Sequence, residues 1–168
     1  MNEFLIDLYG EPCRECGFSF ETSASDAIAI IEGLPEAFDQ ATGSATGTER
    51  HPDLAWTVTA YVFHVADNLR IWAERLAGAA TGAGPDITAY DENSLASARN
   101  YAQLPLQAAR WTLSRAVGDY LEALRLSPTS GIALKHPEQG PLTLTEVLRA
   151  DAHDSFHHCW DVKRTLAH

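Results

Sequence analysis

The chain has 168 residues, 45% of them apolar and 21% charged, enough to bury a substantial core without help from a disulfide or a metal. Lys and Arg number 12 against 23 Asp and Glu, a net charge of −11, which argues against nucleic acid or an anionic membrane surface as partner, because phosphate binding runs on basic patches. Three cysteines are too few for a secreted disulfide framework, the start Met1-Asn2-Glu3 lacks the basic and apolar regions of a leader, and no run of about 18 apolar residues occurs, so a cytoplasmic protein without a membrane span is expected.

Taken in order, the chain opens with an N-terminal extension of about residues 1–22 on a single domain spanning 1–168. The extension carries Cys13-Arg14-Glu15-Cys16-Gly17, a C-x-x-C-G knuckle. Such a knuckle can be a plain turn, half of a zinc site or a redox pair. An all-cysteine zinc site cannot be built within the chain, since Cys159 is the only other cysteine. Histidine or carboxylate partners, or a second subunit, would have to complete it.

The first helical pattern covers residues 23–42, with Ile28, Ile31, Leu34 and Phe38 at helical steps and Pro35 set to kink or split it. The second runs from about residue 58 to 76 on the stripe Val58, Tyr61, Val62, Val65, Leu69, Trp72 and Leu76. A Gly-rich stretch at 77–84 and Pro85 end it. A long connection over 86–104 holds one short helix near 94–101. The third helix spans about 105–125 on Ala109, Leu113, Val117, Tyr120, Leu121 and Leu124, and Ser127, Pro128 and Gly131 stop it. Ile132 to Lys135 read as a short extended piece. The fourth helix opens with a capping box, Thr143 with Glu146, and continues to about residue 166. Four long helices, one long connection and no sheet of convincing length predict an all-α helical bundle.

The seven histidines are the surplus that composition leaves unexplained, and three of them fall within six residues of the fourth helix. His153 and His157 are four apart and share a face, a spacing that lets two imidazoles hold one metal ion. His158 points about 100° away from His157. Asp161, four residues on from His157, can orient its ring. The same pair can instead cover a helix face, paired with Asp154 or Asp161. His64, the only histidine inside another predicted helix, is the natural third ligand, at the edge of its apolar stripe; a core-edge histidine is the alternative. Three imidazoles from two helices with open positions would suit Zn, Ni, Fe or Mn. His153 to His157 also matches H-E-x-x-H with Asp for Glu, but the shorter side chain and the 11 residues that follow argue against a zinc protease. No phosphate loop, nucleophile elbow or dinucleotide fingerprint is present.

The stretches Trp56-Thr57-Val58, Tyr61-Val62-Phe63-His64-Val65-Ala66-Asp67-Asn68-Leu69-Arg70 and Ala73-Glu74-Arg75-Leu76 resemble the second helix of the DinB-like superfamily, which includes the mycothiol-dependent maleylpyruvate isomerase N-terminal domains. His153-Asp154-Ser155-Phe156-His157-His158-Cys159-Trp160-Asp161-Val162 resembles that superfamily's last helix. The resemblance covers about residues 23–166. It implies a four-helix bundle with one long crossover and a divalent metal held by His64, His153 and His157. A small shift in helix phase would present His158 instead. It further implies a thiol-dependent transferase or isomerase, in which the metal generates a thiolate from a low-molecular-weight thiol such as mycothiol.

Asp67, three residues after His64, is the candidate for orienting or proton transfer, and a solvated carboxylate is the alternative. Trp160 and Phe156 could wall a substrate pocket with Arg164 at its rim. Trp72, Trp111 and Trp160 read as core anchors, and His51, His136 and His168 as ordinary. The expected partner is a small-molecule substrate, activated thiol or water being the attacking group, and a homodimer is compatible with a bundle of this size. The rival is a non-catalytic ligand-binding or dimerising bundle whose metal is structural or absent.

Overall fold

The computed structural model describes residues 3–82, 84, 86–127 and 133–168. A helix absent from the sequence reading, α1 (Glu3–Tyr9), comes first and buries Leu5. The first predicted helix forms as two, α2 (Ala24–Glu32) and α3 (Leu34–Thr42). The Ser23 hydroxyl caps α2 by accepting from the Asp26 amide. Gly33 ends α2 and begins α3, and Pro35 lies in the first turn of α3, where its missing N–H leaves no hydrogen bond unmade.

Next comes α4 (Val58–Ala80), capped by the Thr57 hydroxyl, which accepts from the Ala60 amide. The whole predicted stripe from Val58 to Leu76 is buried. Full burial of each such aliphatic side chain is worth roughly 1.5–3 kcal/mol, so this stripe supplies much of the cohesion of the bundle. The helix runs on through Gly78 because Ala77 and Ala79 pack against the core, and that packing overrides the helix cost of one glycine. Pro85 lies outside the described residues.

The long connection contains α5 (Glu92–Ala98), capped by Asp91, and a 3-10 turn at Tyr101–Gln103 that buries Tyr101. Then follow α6 (Leu106–Leu126), the hairpin of β1 (Ala133–His136) and β2 (Gly140–Thr143), and α7 (Leu144–Ala167). Strands β1 and β2 are antiparallel, with Leu134 opposite Leu142 and both buried. The extended piece expected at Ile132 to Lys135 is thus half of a hairpin, although Ile132 itself lies outside the described residues, as do Pro128 and Gly131. Thr143 ends β2 and caps α7 in the expected box with Glu146.

Helix α4 packs along α6, while α7 packs against α4, α2 and α3, and α3 also meets α6. These contacts make the four-helix bundle, and the connection between α4 and α6 is the long crossover. Residues 10–22 turn back onto α7: Cys13, Phe18 and Phe20 are buried in the core, and Arg149 Nε donates to the Thr22 carbonyl at 2.7 Å. Trp111 differs from expectation, being 66% exposed. It sits two residues from both Ala109 and Leu113, about 200° around the helix from each, and so faces away from the core. Among the described residues no helix is long and apolar enough to cross a membrane.

Candidate functional site

Two donor clusters flank the last helix, and between them they divide the histidines differently from the sequence expectation. The first joins α4 to α7. His64 Nε2 and His158 Nε2 each lie 3.5 Å from the same oxygen, Asp154 Oδ1. All three donor atoms fall within 4.8 Å of one another. The outer atoms are tied down. His158 Nδ1 is 2.9 Å from Asp161 Oδ2, the Asn68 amide donates to Asp154 Oδ2 at 3.1 Å, and the Tyr90 hydroxyl donates to Asn68 Oδ1 at 3.0 Å. Trp56 and Tyr61 wall the cluster, their rings 4.8 Å from His64 and 5.2 Å from His158.

The electrostatics match this crowding. Burial alone would depress His158, but the Asp154 and Asp161 carboxylates raise it to about 10. Burial alone would raise Asp154, and His64 and His158 beside it hold it well below the ordinary carboxylate range instead. His158 stands between two carboxylates, Asp154 at Nε2 and Asp161 at Nδ1, and a neutral imidazole has only one N–H to donate, so a positive charge is needed on its Nε2 side. Either a proton on His158 or a divalent cation supplies it. Two imidazoles and a carboxylate, with His158 oriented by Asp161 and Asp154 by Asn68, form a donor set that suits Zn, Fe, Mn or Ni and leaves coordination positions open.

The second cluster joins α7 to the N-terminal segment. Cys13, Cys16, His153 and His157 place one donor atom each within 4.8 Å of the others. Burial, then the imidazoles of His157 and His158, lower His153 to about 4, so its ring is neutral near pH 7. Burial pushes the Cys16 thiol up to about 12.

His64, His153 and His157 therefore do not form one cluster of converging donors. His64 meets Asp154 and His158, while His153 and His157 meet the cysteines. The reason lies in α7 itself, where two pairs with the same four-residue spacing, 153/157 and 154/158, lie about 100° apart and face different neighbours. Asp161 orients His158 at 2.9 Å and lies 3.9 Å from His157. The sequence reading gives Asp154 only as a carboxylate that pairs with a histidine, and assigns no role at the site to Asn68 or Tyr90. The i, i+4 spacing of Asp154 and His158 was the signal that could have found Asp154.

Asp67 is buried, but its carboxylate faces the crossover. It accepts from Arg99 at 2.7 Å, from Arg70 at 3.4 Å and from the Tyr101 hydroxyl. Asp67 thus anchors the connection to α4, and neither oxygen is directed at the histidines. Asp67→Asn is expected to lower unfolding free energy by about 2–3 kcal/mol, because Tyr101 and Arg99 lose the charge they bond, while metal binding at the His64 cluster is retained. Denaturant unfolding and metal titration of the same variant check both halves. Arg164 lies with its guanidinium carbon 5.5 Å from the Trp160 ring and a nitrogen 3.6 Å from Asp53 Oδ2. Trp160 and Phe156 stand on the cysteine side, against His157 and Phe18 respectively.

A cavity of about 320 Å³ opens beside the first cluster. Asp154 and Asn68 line it, together with Phe4, Leu8 and Tyr9 of α1 and with Arg75 and His136. Arg75 lies 4.5 Å over the Trp72 ring and donates to the Thr88 carbonyl, which holds its cation at the cavity.

A four-helix bundle with a long crossover and a cluster of potential metal ligands on facing helices defines a protein of DinB-like type. Residues 32–163 match the family model described as the mycothiol maleylpyruvate isomerase N-terminal domain, and the chain belongs to that family. Among solved structures the chain is similar to YfiT from Bacillus subtilis, described as a probable metal-dependent hydrolase with an unusual four-helix bundle topology. That likeness has a TM-score of 0.71 at 21% identity, over 86% of this chain and 87% of that one, and it establishes the shared fold. No curated protein matches the chain.

Proposed function

We propose that His64, Asp154 and His158 hold a divalent metal, and that the protein is a metal-dependent enzyme directing a low-molecular-weight thiol of the mycothiol type, or water, at a small electrophilic substrate. The observation that carries this reading is the convergence of two imidazole nitrogens, from α4 and α7, on one carboxylate oxygen at 3.5 Å each. A metal bound there would lower the pKa of a thiol or water and so supply a nucleophile at neutral pH.

The chain's own residues do the rest. Asp161 accepts from His158 Nδ1 and keeps Nε2 turned inward. Asn68 holds Asp154 by one oxygen and leaves the other for the cluster, and Tyr90 fixes Asn68 in turn. Trp56 and Tyr61 keep one side of the cluster apolar. Arg75 and His136 would receive an acidic group of the substrate in the adjoining cavity.

The test is turnover by metal-loaded protein. Mycothiol, bacillithiol and glutathione are each supplied with a panel of small electrophiles, and ester hydrolysis is followed without thiol. The expected result is thiol consumption or hydrolysis that a chelator abolishes, that returns with metal and that His64→Ala lacks. Rates equal to buffer across both panels would overturn the enzymatic reading and leave a ligand-binding bundle.

A further inference from the structure

The cysteine–histidine cluster shares no donor with the His64 cluster and has no part in the proposed chemistry. We propose that Cys13, Cys16, His153 and His157 bind one zinc ion in a closed Cys2His2 site that fastens the N-terminal segment to α7.

Geometry comes first. The donor atoms lie within 4.8 Å of one another, and Cys13 Sγ is 3.7 Å from His157 Nδ1. In tetrahedral zinc with Zn–S near 2.3 Å and Zn–N near 2.1 Å, the S to N edge is about 3.6 Å. The spacing, two residues between the cysteines and three between the histidines, is that of structural zinc sites.

The state of the individual donors is the second argument. His153 Nε2 is buried and has no hydrogen-bond partner among the described residues. A buried ring nitrogen left unpaired is costly, and a metal ion removes that cost. A disulfide between Cys13 and Cys16 would leave the same nitrogen unpaired and would give the two histidines nothing to do. His157 presents Nδ1 to the sulfur, while its Nε2 lies 3.3 Å from Glu15 Oε2. A carboxylate on the far ring nitrogen is the usual support of a metal-binding imidazole.

The knuckle is shaped for the task. Gly17 has φ +77°, a left-handed conformation that side-chain-bearing residues rarely adopt, and its amide donates to the Cys13 carbonyl at 2.9 Å. The Cys13 amide donates to the Phe18 carbonyl at 2.8 Å, which closes the knuckle. The rings of Tyr9, Phe20 and Phe18 stand 4.6, 4.7 and 5.5 Å from that of His153 and keep water from it. Four protein donors in an aromatic jacket describe a structural ion rather than a catalytic one. Its consequence reaches the cavity, because α1, joined directly to the knuckle, lines it together with Asp154.

The experiment uses the full, untagged, reduced chain. Cobalt is added as an optical stand-in for zinc. The expected spectrum has a sulfur-to-cobalt charge-transfer band and the intense visible bands of tetrahedral cobalt, both erased by one equivalent of zinc. Cys16→Ser should weaken zinc binding by about 100-fold or more, since even a lost outer support costs 10–100-fold. His158→Ala should keep the sulfur bands, which separates this site from the His64 cluster. Absence of the charge-transfer band in the unmodified, folded protein would overturn the proposal, whether or not Cys16→Ser folds. Recovery of Cys13 and Cys16 as a disulfide from reduced protein loaded with zinc would overturn it as well.

Discussion

His158→Ala is expected to weaken divalent-metal binding at the His64 cluster by about 100-fold or more and to remove any turnover that depends on it, while the chain still folds. The variant deletes one of three converging donors and leaves Asp154 Oδ1 facing one imidazole instead of two. The remaining pair, His64 and Asp154 at 3.5 Å, would hold an ion from two sides only. Titration with Mn2+, which thiolates hold poorly, reads this cluster separately from the cysteine-bearing one. His153→Ala supplies the contrast. Its ring belongs to the other cluster, so Mn2+ affinity should change by less than about threefold, well short of losing a direct ligand. The reverse pattern, with His153→Ala abolishing Mn2+ binding and His158→Ala sparing it, would return the site to the set of His64, His153 and His157.

Gly47→Ala should be strongly destabilising, costing about 3 kcal/mol or more. Gly47 sits at φ +91°, and a Cβ there would lie 2.0 Å from Thr59 Oγ1 and 2.9 Å from Leu106 Cβ. Neither neighbour can easily withdraw, because Thr59 and Leu106 are both buried. The loop also serves the start of α4. The carbonyls of Gly47 and Glu49 accept from the Thr59 and Val58 amides at 3.0 and 3.1 Å, and the Glu49 carboxylate accepts from the Thr46 and Gly47 amides. Displacing it disturbs the helix that carries His64. Gly43→Ala is the control. It too has positive φ, +45°, but no atom lies within 4 Å of the added methyl, so only the conformational cost of about 1–2 kcal/mol applies. Equal losses of denaturation midpoint in the two variants would refute the close-approach argument. Thr59→Ala should recover part of the Gly47→Ala loss.

Much of the bundle was legible because its signals are local. The stripe from Val58 to Leu76, the break that Pro35 imposes just ahead of itself at Gly33 and the Thr143–Glu146 box each depend on residues close in sequence, and each appears in the structure. Trp111 lies outside the core despite its hydrophobicity because its angular position, two residues from the buried Ala109 and Leu113, turns it to the far side of α6. Helix α1 and strand β2 were missed for a different reason. Seven residues bury one leucine in α1, and the four residues of β2 acquire meaning only when paired with β1.

Composition and periodicity by themselves determined a helical bundle with one long connection and a concentration of metal-binding side chains on its last helix. Tertiary structure decided how those side chains are shared. Pairs 153/157 and 154/158 have the same spacing, so nothing within α7 distinguishes them. The choice rests on what each face meets: α4 with His64 on one side, the Cys13–Cys16 knuckle on the other. Asp67 went the same way, three residues from His64 in sequence yet drawn off by Arg99 and Tyr101 of the crossover. Helical geometry sets the direction of a side chain, and only packing sets what stands there to receive it.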